Sequence, residues 1–145
     1  MVRVLHAGAT SSEDLAERAA KEEQTNPRYS WLGEIASDEA LALIGRSRLL
    51  VISSRHEGGP NVLAEALAFG TPVLVSRIPG LVGIVGGDYP GCFDPEDSEG
   101  LSVLLARAES DPAFYESLRQ RCAELAELAS PLREVDSWKE LLESL

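Results

Sequence analysis

The chain has 145 residues, 44% hydrophobic and 26% charged, with a formal net charge of −11. That length fits one domain with a real core, burying roughly 70% of its unfolded surface. The acidic excess argues against DNA, RNA or an anionic membrane as the main partner, because binding phosphate polymers needs clustered Lys and Arg; one small anionic ligand needs only a local site.

Val2 to His6 is a short apolar run ending in Ala7-Gly8-Ala9, which reads as a buried strand entering a tight loop. Ser11 or Ser12 caps a helix running to about Gln24, with Glu13 and Asp14 at its positive end. Asn26-Pro27 breaks the pattern. Tyr29 to Leu32 is a second strand, closed by Gly33. Ser37-Asp38 opens a helix carrying Leu41, Leu43 and Ile44. Arg48 to Ser53 (RLLVIS) reads as the clearest buried strand. A Gly58-Gly59-Pro60 loop leads to a helix from Asn61 to Phe69 that stops at Gly70. The strand Val73 to Ser76, a short helix over Pro79 to Val85 and a strand at Gly91 to Phe93 follow. A helix is predicted from Ser98 to Glu109. Asp111-Pro112 starts the next as cap and first residue, with Phe114, Leu118, Leu125 and Leu128 on its apolar side. Pro131 opens a last helix carrying Val135, Trp138, Leu141, Leu142 and Leu145.

Apolar runs alternating with helices predict an α/β fold with a Rossmann-like parallel sheet flanked by helices and a helical C-terminus. Ligands of such sheets bind outside the carboxyl ends of the strands, which singles out the loops after His6, Leu32 and Ser53. Cys92 and Cys122 lack metal-ligand spacing and read as reduced thiols. No segment approaches the roughly 18 apolar residues of a membrane span, and the opening residues turn polar too soon for a signal peptide. A cytoplasmic protein is expected.

The loop after Ser53 is the most unusual segment: Ser53-Ser54-Arg55-His56-Glu57-Gly58-Gly59-Pro60-Asn61-Val62-Leu63-Ala64-Glu65-Ala66-Leu67. Two glycines let backbone N–H groups approach a ligand, and Pro60 suits a helix start. The helix N-terminus beyond offers free donors and a positive dipole end to an anion. Glu57 in the loop and Glu65 in the helix are then placed to accept hydrogen bonds from sugar hydroxyls on either side of a phosphate. On spacing alone, a solvated loop acid and an ordinary helix glutamate remain open alternatives. Arg55 is the one basic residue in this loop, either neutralising phosphate or facing solvent.

This stretch resembles the GT4-like retaining glycosyltransferases of GT-B fold. Their signature is a glutamate, seven residues and a second glutamate, with a serine ahead, a glycine after the first acid, and Gly-x-Pro-Val beyond the helix. Here those are Glu57, Glu65, Ser54, Gly58 and Gly70-Thr71-Pro72-Val73. Trp31-Leu32-Gly33 and Val4 to Gly8 resemble the family's upstream strand–glycine segments, and the resemblance covers about residues 2 to 95. It implies that residues 1–145 are the nucleotide-sugar-binding half of a GT-B enzyme, lacking its first strand and its N-terminal acceptor domain. The implied partners are a nucleotide-sugar donor, probed best as a UDP-sugar, and the missing domain or a second chain. Glu57 is the implied catalytic residue, meeting donor hydroxyls near the reacting carbon. Gly58, Gly59, Pro60, Asn61 and Val62 meet sugar and diphosphate, Glu65 meets the ribose, Glu34 and Ile35 meet the base, and Gly8 and Arg55 complete the substrate-binding set. Neither a cofactor nor a metal is implied, and no Asp-x-Asp motif stands in the sequence. The strings Ser53 to Val62, Ser76 to Gly80 and Gly87 to Gly91 resemble the selenosugar synthase branch of selenoneine biosynthesis, which implies selenophosphate as acceptor.

The alternative is a non-catalytic nucleotide-sugar-binding half that needs a partner chain. The loop that grips the diphosphate with an Arg and a Lys in this family has no counterpart here, so the chain alone is expected to turn over weakly. Without the family's first strand, the sheet is expected either to pair strand 2–6 directly beside strand 48–53 or to borrow a strand. Without the other domain, to which the last helix crosses in GT-B enzymes, that helix's apolar stripe is expected to promote self-association. A nucleotide-sugar epimerase, another GT-B enzyme, does not suit Glu-Gly-Gly-Pro-Asn.

Overall fold

A computed structural model of the chain describes residues 2–10, 12–128, 139 and 142. Of the predicted last helix, Val135, Trp138, Leu141 and Leu145 lie outside the described residues, as does Ser11, while Lys139 and Leu142 are helical and exposed. The chain divides into two compact units, Met1–Leu43 and Ile44–Leu145.

In the first unit, β1 (Val4–Ala7) pairs in parallel with β2 (Tyr29–Gly33), and α1 (Glu13–Thr25) connects them and packs on β2. Ser12 is the helix cap: its hydroxyl accepts from the Leu15 amide at 3.4 Å. The prediction of a buried first strand is corrected here. All four residues of β1 are exposed, with Val4 at 43% and Leu5 at 42%. An apolar run predicts burial only when other elements cover both of its faces, and α1 packs on β2 instead.

α2 (Ser37–Arg46) spans the boundary into the second unit, where β3 (Leu50–Ile52), α3 (Asn61–Phe69), β4 (Val73–Ser76), α4 (Pro79–Val85), β5 (Cys92–Phe93), α5 (Ser98–Ser110) and α6 (Pro112–Leu128) follow. The strands form a parallel sheet in the order β3-β4-β5. β4 is central and buried on both faces, so its sequence is continuous rather than alternating: Val73, Leu74, Val75 and Ser76 are each 0% exposed. Leu63 and Leu67 of α3, Leu81 and Val85 of α4, and Leu118 and Cys122 of α6 join them in one core. The helix α6 packs on α3, α4 and α5. Each unit therefore carries parallel strands flanked by helices, as the sequence predicted. In the first unit β1 pairs with β2, and in the second β3 and β5 flank β4. Val51, on the strand read as most buried, is 36% exposed, while its neighbour Ile52 is buried at 5%.

The polar groups of this core are matched. Tyr89 is 2% exposed, and its hydroxyl donates to the Val73 carbonyl at 2.8 Å and lies 3.3 Å from Cys122 Sγ. Burial, with Cys122 alongside, pushes the Tyr89 hydroxyl's pKa up and keeps it protonated. Burial also raises the Cys92 thiol, against the opposing pull of Arg77. Both cysteines are free thiols, as read from the sequence. Thr71 donates to the Ile44 carbonyl at 3.0 Å, fixing the turn before β4 to the end of α2.

Asp111 caps α6, its carboxylate accepting from the amides of Phe114 at 3.0 Å and Ala113 at 3.1 Å and pairing with Arg107 at 3.2 Å. The Phe114 amide and then Arg107 hold its carboxyl below the ordinary range.

Two tests follow from this packing. Tyr89→Phe should destabilise the chain by about 1–2 kcal/mol in urea melts, because it strips the Val73 carbonyl of this donor while leaving the ring in place. Asp111→Ala should lower the melting temperature at neutral pH. Because the folded carboxyl is more acidic than the unfolded one, its contribution is complete above the unfolded value and fades as pH falls through the folded one. The gap between the two melting curves should therefore narrow in acid.

Candidate functional site

Because β3, β4 and β5 run parallel, their carboxyl ends share one rim. Three connections leave it: residues 53–60 toward α3, residues 77–78 toward α4, and residues 94–97 toward α5. The Gly-Gly corner singled out by sequence thus stands on the edge where parallel sheets bind ligands.

The first connection is fixed at its root by Ser76, which donates from the end of β4 to the Ser54 carbonyl at 2.5 Å. Ser54 in turn donates to Glu57 Oε1 at 2.9 Å. Glu57 is exposed, with one carboxylate oxygen bonded to Ser54, so it stands oriented at the surface and retains acceptor capacity. Gly59 has φ 142, a conformation L side chains rarely adopt. Gly58 has open space around it.

Pro60 then enters α3 in extended conformation, with φ −73 and ψ 132. No side chain caps this helix, whereas Ser12, Asp97 and Asp111 each accept amide bonds at the starts of α1, α5 and α6. Its first N–H groups therefore remain without a side-chain partner at a positive dipole end. Glu65 lies in the second turn of α3 and is half-buried, between fully buried Leu63, Ala66 and Leu67.

The sequence reading missed the contribution of α4. Arg55, His56, Glu57 and Gly58 face Ile78, Pro79 and Gly80 across a cleft of about 510 Å³. At Gly80 the helix touches the loop so closely that a Cβ there would lie 1.8 Å from the Glu57 carbonyl oxygen. The signal was present in Ile78-Pro79-Gly80, a glycine just after a helix-starting proline on the same rim. Nothing local says which backbone it approaches. Arg55 pairs with Glu96, from the connection after β5.

The remaining candidates lie in the first unit. Gly8 follows β1 and Glu34-Ile35 follow β2, at the carboxyl ends of that parallel pair. The Gly8 amide donates to the Gly33 carbonyl at 2.8 Å, and Trp31 Nε1 donates to the Gly8 carbonyl at 3.2 Å. These contacts bring Gly8 beside the Gly33–Glu34 turn; Glu34 is exposed and Ile35 half-buried. His6, at the end of β1, has Nδ1 2.6 Å from the Tyr29 hydroxyl.

The likeness to known proteins extends along most of the sequence and not over this corner alone. The family model of the "Glycosyl transferases group 1" matches residues 2–128. The chain belongs to this family.

Among its relatives, this glycosyltransferase chain is 31% identical over 87 residues to the serotype-specific mannosyltransferase WbdA of Escherichia coli, covering 60% of this chain and 11% of that protein. It is 30% identical over 108 residues to the glycogen synthase of Mycobacterium tuberculosis, covering 74% of this chain and 26% of that one. Its fold matches Anabaena Alr3699/HepE, solved in complex with UDP and glucose, with a TM-score of 0.79 at 19% identity over 99% of this chain and 41% of that one. The glycosyltransferase chain thus spans a tenth to a quarter of the length of these curated relatives. Among the described residues no helix is long and apolar enough to cross a membrane.

Gly80→Ala tests the contact beneath the site. Alanine gains up to about 1 kcal/mol of helix propensity. The clash is with a backbone carbonyl, which cannot rotate away, and overpacking costs about 1–3 kcal/mol. A net loss of stability in urea melts is expected, with Gly58→Ala, which meets open space, within about 0.5 kcal/mol of wild type.

Proposed function

We propose that this chain is the donor half of a retaining glycosyltransferase and binds a UDP-sugar on the rim of β3 and β4. The observation that carries the reading is the Glu57 carboxylate, oriented by Ser54 on the Gly58-Gly59 corner directly before the uncapped start of α3. In this reading the backbone of Gly58, Gly59, Pro60, Asn61 and Val62 receives the sugar and diphosphate. Arg55 supplies a cation to the diphosphate. Glu57 accepts from donor hydroxyls beside the reacting carbon, and Glu65 accepts from the ribose diol. Gly8, Glu34 and Ile35 serve the base. Family membership and the UDP complexes of HepE support the choice of donor.

The chemistry assigned to these residues is electrostatic. As the glycosyl bond to the diphosphate breaks, negative charge grows on the leaving oxygens. Fixed N–H dipoles at a helix N-terminus stabilise that charge without reorganising. Carboxylates bonded to sugar hydroxyls fix the anomeric carbon relative to those dipoles, which is the positioning contribution.

The acceptor is proposed to come from outside residues 1–145, through an acceptor-binding domain or a partner chain, so the chain alone binds the donor without rapid turnover. The strings Ser53 to Val62, Ser76 to Gly80 and Gly87 to Gly91 support selenophosphate as that acceptor, with formation of a carbon–selenium bond and release of UDP. Mass spectrometry of products formed once an acceptor-binding domain is supplied would distinguish a selenosugar from an oxygen-linked glycoside.

Calorimetric titration with UDP and a UDP-sugar tests the donor site. Glu65→Gln should weaken both ligands by about tenfold or more, the value of a hydrogen bond to a charged group. Glu57→Gln should weaken the UDP-sugar by a similar factor and leave UDP close to wild type. A wild-type chain that binds neither nucleotide would falsify the reading.

A further inference from the structure

Arg55 is the one lysine or arginine lining the cleft, and its guanidinium is already engaged. It pairs with the carboxylate of Glu96. The two residues leave the sheet from β3 and β5, which are separated by β4, so the ion pair crosses the carboxyl end of the central strand.

Glu96 is an unusual residue for that task. It is the one non-glycine residue with positive φ among those described, at 66°. Glutamate has no intrinsic preference for this left-handed conformation. The turn around it is held from both sides. Asp94 pairs with Arg77 at 3.3 Å, the Asp97 amide donates to the Asp94 carbonyl at 3.1 Å, and the Asp97 carboxylate caps α5 through the Gly100 amide at 2.8 Å. The neighbouring acids are thus occupied by the turn itself, and Glu96 is the one that reaches Arg55.

We infer that Glu96 is a positioning residue that holds the Arg55 guanidinium in the absence of ligand and yields it to the donor's diphosphate. The inference rests on the donor-site reading above and adds an exchange of partners to it. The energetics favour exchange. The side chains of Arg55 and Glu96 are 72% and 65% exposed, and an ion pair so open to water contributes little. A diphosphate brings more charge and several acceptor oxygens to a planar guanidinium, and charge-assisted bonds of that kind are the stronger ones. Its binding at the open start of α3 would add donors that Glu96 cannot reach. Glu96 therefore sets an anionic competitor against phosphate in a chain that is already acidic.

Titration of the 145-residue chain with UDP, and separately with uridine, tests the exchange. Glu96→Gln removes the charge, and Glu96→Gly also relieves the backbone. Both variants should tighten UDP by about two- to five-fold, the weight of an exposed ion pair, and leave uridine unchanged. In an Arg55→Gln background, which should bind UDP more weakly, the same Glu96 substitutions should have no effect. UDP affinity unmoved by both Glu96 variants, or tightened equally for uridine, overturns the exchange while leaving the donor site standing. A wild-type chain that binds no UDP overturns both.

Discussion

The candidate site depends on one approach of backbone to backbone. The helix after β4 can lie against the loop after β3 because residue 80 has no side chain; a Cβ there would overlap the Glu57 carbonyl. That contact sets one wall of the cleft and limits where the Glu57 backbone can go. Ser76 secures the same loop one step earlier, through the Ser54 carbonyl, and Ser54 passes the constraint to the Glu57 carboxylate. A surface glutamate is thereby positioned by the fully buried strand β4 through two hydrogen bonds. Its precision derives from the core, although the residue itself is exposed.

The electrostatics of the chain show why net charge and local charge answer different questions. A net charge of −11 opposes long polyanions, whose binding sums over an extended surface. A small anion samples only a few ångströms, and within that distance the uncapped N-terminus of α3 and the Arg55 guanidinium stand alongside the carboxylates of Glu57 and Glu96. Screening over about 8–10 Å at ordinary salt separates the two scales. The caps on α1, α5 and α6 sharpen the contrast: three helices spend an acidic or hydroxyl side chain on their first amides, whereas α3 and α4, both entering from the cleft, do not.

The region matched to the family reaches into both units of the fold. The core lies wholly within the second unit, around β4, and includes the helices that frame the rim. The first unit carries its own two-stranded parallel pair, with β1 exposed along its whole length. Relatives of this chain are several times longer. The family's matched region begins at residue 2 and runs through α6, so both units fall within it.

The sequence by itself determined the elements and their order. β4 was legible because Val73, Leu74 and Val75 form an unbroken apolar run just after Pro72. α3 was legible because Pro60 and Gly70 bracket it, and α6 because Asp111-Pro112 is a cap whose bonds are all local. The parallel arrangement and the importance of the Glu57 loop followed from strand–helix alternation and from two glycines in one connection. Tertiary structure decided the rest. That β1 is exposed and that β4 is the buried centre of its sheet depend on which elements cover which. A strand's own residues do not encode that. The approach of Gly80 to Glu57, the bond from Tyr89 to Val73 and the pairing of Arg55 with Glu96 join residues 16 to 41 positions apart. Hydrophobic periodicity and capping act over a few residues along the chain, whereas these contacts arise only when the parallel sheet brings distant segments together.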